Sequence, residues 1–174
     1  MVRRGATART VWLPPGTYVD LRNDQVHAGD AVAELSAPLG ELPLLLVAGE
    51  ILPLLDAAVE TLAPASDPNV ISADKRKDLL DVQVALAKGE SARLTLADGT
   101  ELSAERTLSD AGNPGSLAPA TDLAGCALCY SESAPHLRVN GALSAQSDLT
   151  LRDLRLHASG PAPRRVRWDV IRLH

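Results

Sequence analysis

Residues 9–54 read RTVWLPPGTYVDLRNDQVHAGDAVAELSAPLGELPLLLVAGEILPL, and the spacing of turn residues in this stretch decides the fold. Thr10 to Leu13 is a β-prone run stopped by Pro14-Pro15-Gly16. Proline has no N–H to give to a ladder and glycine tolerates positive φ, so the tripeptide ends one strand and turns the chain into the next, Thr17 to Leu21. Arg22-Asn23-Asp24-Gln25 has turn chemistry, Val26 to Ala28 is brief, and Gly29-Asp30 precedes a half-exposed strand from Ala31 to Ser36. After the turn Ala37-Pro38-Leu39-Gly40, Leu42 to Val47 is almost continuously apolar. Its shortness and its Pro and Gly flanks favour a buried strand over a helix. Ala48-Gly49-Glu50 then leads into Ile51 to Leu55. Strands this short, punctuated every roughly eight to twelve residues, predict a β-sandwich or barrel.

Working outward, composition shifts to Ala, Pro, Ser and Asp near residue 56, and residues 63–69 read as a linker. The charged run Ala73 to Asp78 is helix-like. Beyond it, Leu80, Val82, Val84 and Leu86 alternate with Asp81, Gln83 and Ala85, so period two predicts a strand over Leu79 to Ala87. Lys88-Gly89-Glu90 is a hairpin-length loop before Ala92 to Leu96. Asp98-Gly99 signals a hairpin into Glu101 to Leu108, and Asn140-Gly141 signals another between Leu137-Arg138-Val139 and Ala142-Leu143-Ser144. Ser109 to Gly125 is a long, turn-rich loop. Leu149 to His157 and Val166 to Leu173 close the chain, the last with a phase shift that predicts a bulge near Asp169 to Ile171. The expected fold is all-β: two small antiparallel β-sandwich domains, residues 1–62 and 70–174, joined by the Pro/Ala/Ser-rich linker.

Composition excludes several functions. Apolar residues make up 45% of the chain but aromatics only 2%, with no Phe, so the core is built of Leu, Val and Ala. Sites that stack bases or sugars need aromatic platforms, and only Tyr18 and Tyr130 are candidates for carbohydrate contact. A net charge of −5 repels polyphosphates, so nucleic acid is not an expected partner. No apolar run reaches the roughly 20 residues that span a bilayer, and Met1-Val2-Arg3-Arg4 lacks a signal-peptide apolar region. The expected location is cytoplasmic, away from membranes.

Catalytic constellations are weak. Cys126 and Cys129 have the spacing of half a zinc site, with His136 seven residues on, but no second pair completes four ligands. Neither does the pair lie in the strand-to-helix context of a redox motif. His27, His136, His157 and His174 are scattered. No Gly-x-Ser-x-Gly elbow surrounds Ser131 or Ser133, and no glycine-rich phosphate loop is present. Asp98-Gly99-Thr100 lacks the repeated ligands of a calcium loop. Asp20, Asp24, Asp30 and Glu34 could supply an acid/base pair, yet turn and edge-strand solvation explains each of them. Catalytic, metal and cofactor residues are therefore expected to be none, and cofactors none.

The segments Val11-Trp12-Leu13-Pro14-Pro15-Gly16-Thr17-Tyr18-Val19-Asp20, Ala37-Pro38-Leu39, Leu42-Pro43, Ala48-Gly49 and Ile51-Leu52-Pro53-Leu54 together resemble the C-terminal region of family 31 glycoside hydrolases, the α-glucosidase and α-xylosidase family. That family's order is an N-terminal β-sandwich, a catalytic (β/α)8 barrel, then proximal and distal β-sandwiches. The resemblance implies that residues 1–62 correspond to the proximal sandwich and residues 70–174 to the distal one. It is specific over residues 5–55 and weaker beyond. Tyr18-Val19 stands where the family has Trp-Tyr, Asn23-Asp24 where it has Thr-Gly, and Val47 where it has Arg. The family's catalytic aspartates lie in the barrel, so no catalytic residue is implied here. The implied role is a non-catalytic accessory module, not an enzyme by itself; the alternative is a stand-alone carbohydrate-binding or protein-interaction module. The proximal sandwich of the family also has a strand ahead of the segment matched here, so an open edge is expected, pairing with a barrel domain or subunit or with a second copy.

Overall fold

The computed structural model describes residues 7–108, 128–143, 147–151, 153–161 and 164–174. The chain divides into two compact units, Met1–Ala48 and Gly49–His174. Its architecture is all-β, of sandwich type. The Ser109 to Gly125 loop and Cys126 lie outside the described residues.

In the first unit, β1 (Ala8–Leu13) pairs antiparallel with β4 (Ala31–Ser36), and β2 (Thr17–Asp20) is flanked by β3 (Gln25–Ala28) and β5 (Leu45–Val47). The Pro14-Pro15-Gly16 turn sits where the sequence places it, and its fastening is specific. Gly29 N–H donates to Gly16 O at 2.7 Å, Asp30 N–H to Pro14 O at 3.2 Å, and the Tyr18 hydroxyl to Pro14 O at 3.0 Å. Gly29 is required by space: a Cβ there would lie 2.0 Å from Pro14 O. Asp24 and Asp30 occupy left-handed turn positions (φ 59° and 54°), where a short carboxamide or carboxylate side chain is tolerated best after glycine.

The second unit is a sandwich. One sheet has the order β10-β11-β14-β7-β6, formed by β6 (Ile51–Leu54), β7 (Leu79–Leu86), β10 (Leu128–Ser133), β11 (His136–Leu143) and β14 (Arg164–Arg172). The other has the order β12-β13-β9-β8, formed by β8 (Ser91–Thr95), β9 (Glu101–Arg106), β12 (Ser147–Leu151) and β13 (Leu154–Ser159). Alternation delivers one face of each strand to a shared core. Val82, Val84, Leu137, Val139, Val166, Trp168 and Val170 of the first sheet join Leu102, Ala104, Leu151, Leu154 and Leu156 of the second.

Several sequence expectations are corrected here. The division falls between Ala48 and Gly49 because Ile51–Leu54 hydrogen-bonds along Leu54↔Asp81 to Ile51↔Val84, which commits β6 to the second unit. Residues 63–69 are fastened within that unit: Thr61 bridges Ser72, and the Lys75 ammonium donates to Asp67 O and Val70 O at 2.8 and 2.9 Å. Not every pair is antiparallel, since β7 and β14 run parallel.

Asn140-Gly141 makes no hairpin. Both residues lie inside β11, between β10 and β14, where two flanking ladders hold the chain extended and Asn140 is 1% exposed. The turn comes earlier, at Ala134-Pro135. The expected bulge near Asp169 is absent as well, since the β14 registers with β7 and β11 run unbroken through Ile171. Ile171 points to the opposite face and is still only 2% exposed, so the apolar phase change reflects burial on both faces. Finally, Lys88-Gly89-Glu90 carries the chain from one sheet to the other, whereas Asp98-Gly99 does close the β8–β9 hairpin, with Gly99 at φ +83°.

Candidate functional site

The residues singled out from sequence are mostly employed in holding the fold. Asp20 is buried and accepts two bonds from the Arg22 guanidinium, at 3.0 and 2.6 Å, and one from the Arg22 backbone N–H at 3.0 Å. Arg22 also donates to Ser36 O and reaches Glu41 at 3.3 Å, tying β2, β4 and the following turn together. This guanidinium holds the Asp20 carboxyl below its ordinary value, against the opposing effect of burial. Asp20 is thus an anchored anion, ill suited to move protons. Glu34 stands on β4 opposite Thr10, exposed to solvent.

Tyr18 is 9% exposed with its hydroxyl committed to Pro14 O, and Tyr130 on β10 is half-buried against the second unit's core. Cys129 is buried on β10, opposite Asn140. His27 lies on β3 opposite Tyr18, and His136 Nδ1 contacts Asp169 at 2.7 Å. His174 is exposed, Ser131 half-buried and Ser133 exposed. Among the described residues no group of three or more His, Cys, Asp or Glu is placed to hold a metal ion, and no helix is long and apolar enough to cross a membrane.

Two features were not legible in the sequence. The first is an apolar surface on the first unit. Val11, Trp12, Val26, Val32, Leu39, Leu42, Leu44 and Val47 are all exposed, eight of the twelve large apolar side chains exposed among the described residues. Trp12 (57% exposed) and Val32 (65%) are direct cross-strand partners on the β1–β4 ribbon, so they form one contiguous spot. Val11, next to Trp12 on β1, points to the opposite face of the ribbon, so the pair Trp12 and Val32 is the part of this set that the strand register places side by side.

The second is a groove of about 400 Å³ on the outer, polar face of the four-stranded sheet. Arg93 and Thr95 from β8, Glu101 and Ser103 from β9 and His157 from β13 line it. Strand register brings these residues together from sequence positions far apart. No local motif announces them.

The fold is similar to part of several solved glycosidases. A GH31 dextranase from Flavobacterium johnsoniae superposes with a TM-score of 0.49 at 12% identity, over 98% of this chain and 17% of that one. For the GH31 α-xylosidase from Xanthomonas citri the values are 0.46 and 16%, over 85% and 14%. For a glucosidase II α subunit they are 0.44 and 16%, over 92% and 22%. This chain spans less than a quarter of each. No protein-family model and no curated protein matches it.

Proposed function

We propose that this chain is a non-catalytic accessory module of an α-glycosidase, a pair of β-structured units that buttresses a catalytic (β/α)8 barrel lying outside these 174 residues. The observation that carries the proposal is the apolar surface around Trp12 and Val32. One of the two strands that display it, β1, carries the start of the family-like motif, Trp12-Leu13, and runs into its Pro14-Pro15-Gly16 turn. The β1–β4 ribbon, paired only to itself among the described residues, leaves backbone donors and acceptors along its edges for a neighbour to meet. The chemistry of the chain agrees: of the acids clustered in the first unit, Asp20 is neutralised by Arg22, and Asp24 and Asp30 serve turns.

Reconstitution is the direct test. The purified chain would be mixed with the barrel of a family 31 enzyme stripped of its own C-terminal sandwiches, and complex formation and turnover of an aryl α-glycoside measured. The expected result is a complex that Trp12→Ser with Val32→Ser abolishes, with no turnover by this chain alone. Turnover by the isolated chain that disappears in Asp24→Ala would overturn the proposal. Binding of glycans by the isolated chain, with no barrel complex, would favour a stand-alone carbohydrate-binding module instead.

A further inference from the structure

The outer face of the four-stranded sheet is ordered in cross-strand rows. In one row Glu105 of β9 faces Arg155 of β13, and the two charges approach to 4.0 Å. In the next row, Arg93, Ser103, His157 and Asp148 stand side by side across β8, β9, β13 and β12. Thr95, Glu101 and Ser159 make the third. Cross-strand neighbours on one face have Cβ atoms about 5 Å apart, and diagonal ones about 7–8 Å.

The first row sets its opposite charges directly across from each other, and the other two do not. Arg93 faces the Ser103 hydroxyl and Glu101 lies between Thr95 and Ser159, so each charge has only neutral neighbours directly opposite. Among the described residues no carboxylate pairs with Arg93 and no cation with Glu101. His157 is held differently: its Nδ1 contacts Asp148 Oδ1 at 2.6 Å, which fixes the ring and leaves Nε2 for another partner. The groove therefore presents a guanidinium and a carboxylate on a diagonal, with two hydroxyls and an imidazole nitrogen between and beside them.

We propose that this groove binds a small zwitterion, an α-amino acid with a polar side chain. A carboxylate matches the planar fork of Arg93 through two parallel hydrogen bonds. An ammonium a few bonds away matches Glu101, whose own negative charge, together with Asp148, disfavours a dianion such as phosphate. The hydroxyls of Thr95 and Ser103 and the fixed His157 ring complement a polar side chain. Among the described lining residues none is Phe, Tyr or Trp, which disfavours ligands that bind by stacking. The proposal is independent of the docking role, because the groove belongs wholly to the second unit.

The test is titration of the full chain with L-serine, monitored by backbone NMR, with lactate and ethanolamine as the anion-only and cation-only probes. Serine is expected to shift the resonances of Arg93, Glu101, Ser103 and His157 with a Kd of about 1 mM, and each single-charge probe to bind about tenfold more weakly. Arg93→Gln and Glu101→Gln should each cost about tenfold in serine affinity, whereas Arg155→Gln, in the row of directly opposed charges, should leave it unchanged. All these positions are on a solvent face, and unchanged melting temperatures would show that the variants fold. Absence of serine-induced shifts in this row at saturating concentration would overturn the proposal. So would equal binding of all three probes, or full affinity in Arg93→Gln.

Discussion

Arg106 and Asp153 meet inside the second unit at 2.7 Å, each almost wholly buried, with the Arg106 guanidinium also donating to the carbonyls of Leu86 at 3.0 Å and Leu173 at 2.6 Å. One side chain thereby clasps the end of β9, the turn before β13, the end of β7 and the C-terminal tail. The Arg172 guanidinium lies 4.0 Å from the other Asp153 oxygen and is itself paired with Glu132. The cost of burying the ion pair is offset by its direct hydrogen bond and by the two carbonyl acceptors that Arg106 Nη1 finds in Leu86 and Leu173.

Removing one partner of that pair leaves a charge stranded in the interior. Arg106→Ala should destabilise the second unit by about 3–5 kcal/mol, and Asp153→Ala by a similar amount. In the double variant Arg106→Met with Asp153→Leu no charge is stranded, and the loss should be much smaller. Denaturant melts of the three variants check this, and equal losses in all three would contradict it.

Gly29 predicts a steric failure at the turn that decides the first unit. A methyl group would sit 2.0 Å from Pro14 O and 2.7 Å from Gly16 N, backbone atoms that cannot step aside without breaking the Gly29–Gly16 hydrogen bond. Gly29→Ala should therefore cost about 3 kcal/mol or more, at the top of the range for overpacking. Gly40, at φ +92° with open space around its Cα, makes the comparison: Gly40→Ala should cost only about 1 kcal/mol of backbone strain. Hydrogen exchange at first-unit amides would separate the two.

Asp20 predicts a pH dependence. Its carboxyl titrates below the ordinary 3.8 because Arg22 bonds its charged form, so the folded state holds its proton less tightly than the unfolded chain does. The stability it contributes is complete above the unfolded value and is lost as pH falls through the lower folded value. Asp20→Asn should be less stable than the parent near neutral pH by about 1.5–3 kcal/mol, the worth of a charge-assisted hydrogen bond, and the gap should narrow below about pH 4. A gap unchanged from neutrality to pH 2 would contradict the Asp20–Arg22 clasp.

The exposed apolar pair and the core give opposite expectations for similar losses of apolar surface. Trp12→Ser, on an exposed strand face, should change the stability of the isolated chain by no more than about 0.5 kcal/mol. Leu154→Ala, fully buried between the sheets, should cost about 2–5 kcal/mol through transfer and cavity terms. Thermal unfolding of the two variants distinguishes an interaction surface from a structural one.

The sequence by itself determined the all-β character and most strand positions, because alternation and turn residues are local. Pro14-Pro15-Gly16 and Asp98-Gly99 act within a few residues of themselves, and the strand expected over Leu79 to Ala87 is β7. It also made plain that Asp24 and Asp30 are turn residues. Only the tertiary structure decided what depends on neighbours distant along the chain. Asn140-Gly141 carries a strong hairpin signal, yet pairing with β10 on one side and β14 on the other supplies two ladders of hydrogen bonds that outweigh a local turn preference. Ile51 to Leu54 reads as the last strand of the first domain, but its ladder partner is β7. The Arg106–Asp153 clasp spans 47 positions, and the groove is assembled from three strands of one sheet. Strand order sets such contacts, and strand order is a global minimum over competing pairings that no short window of residues encodes.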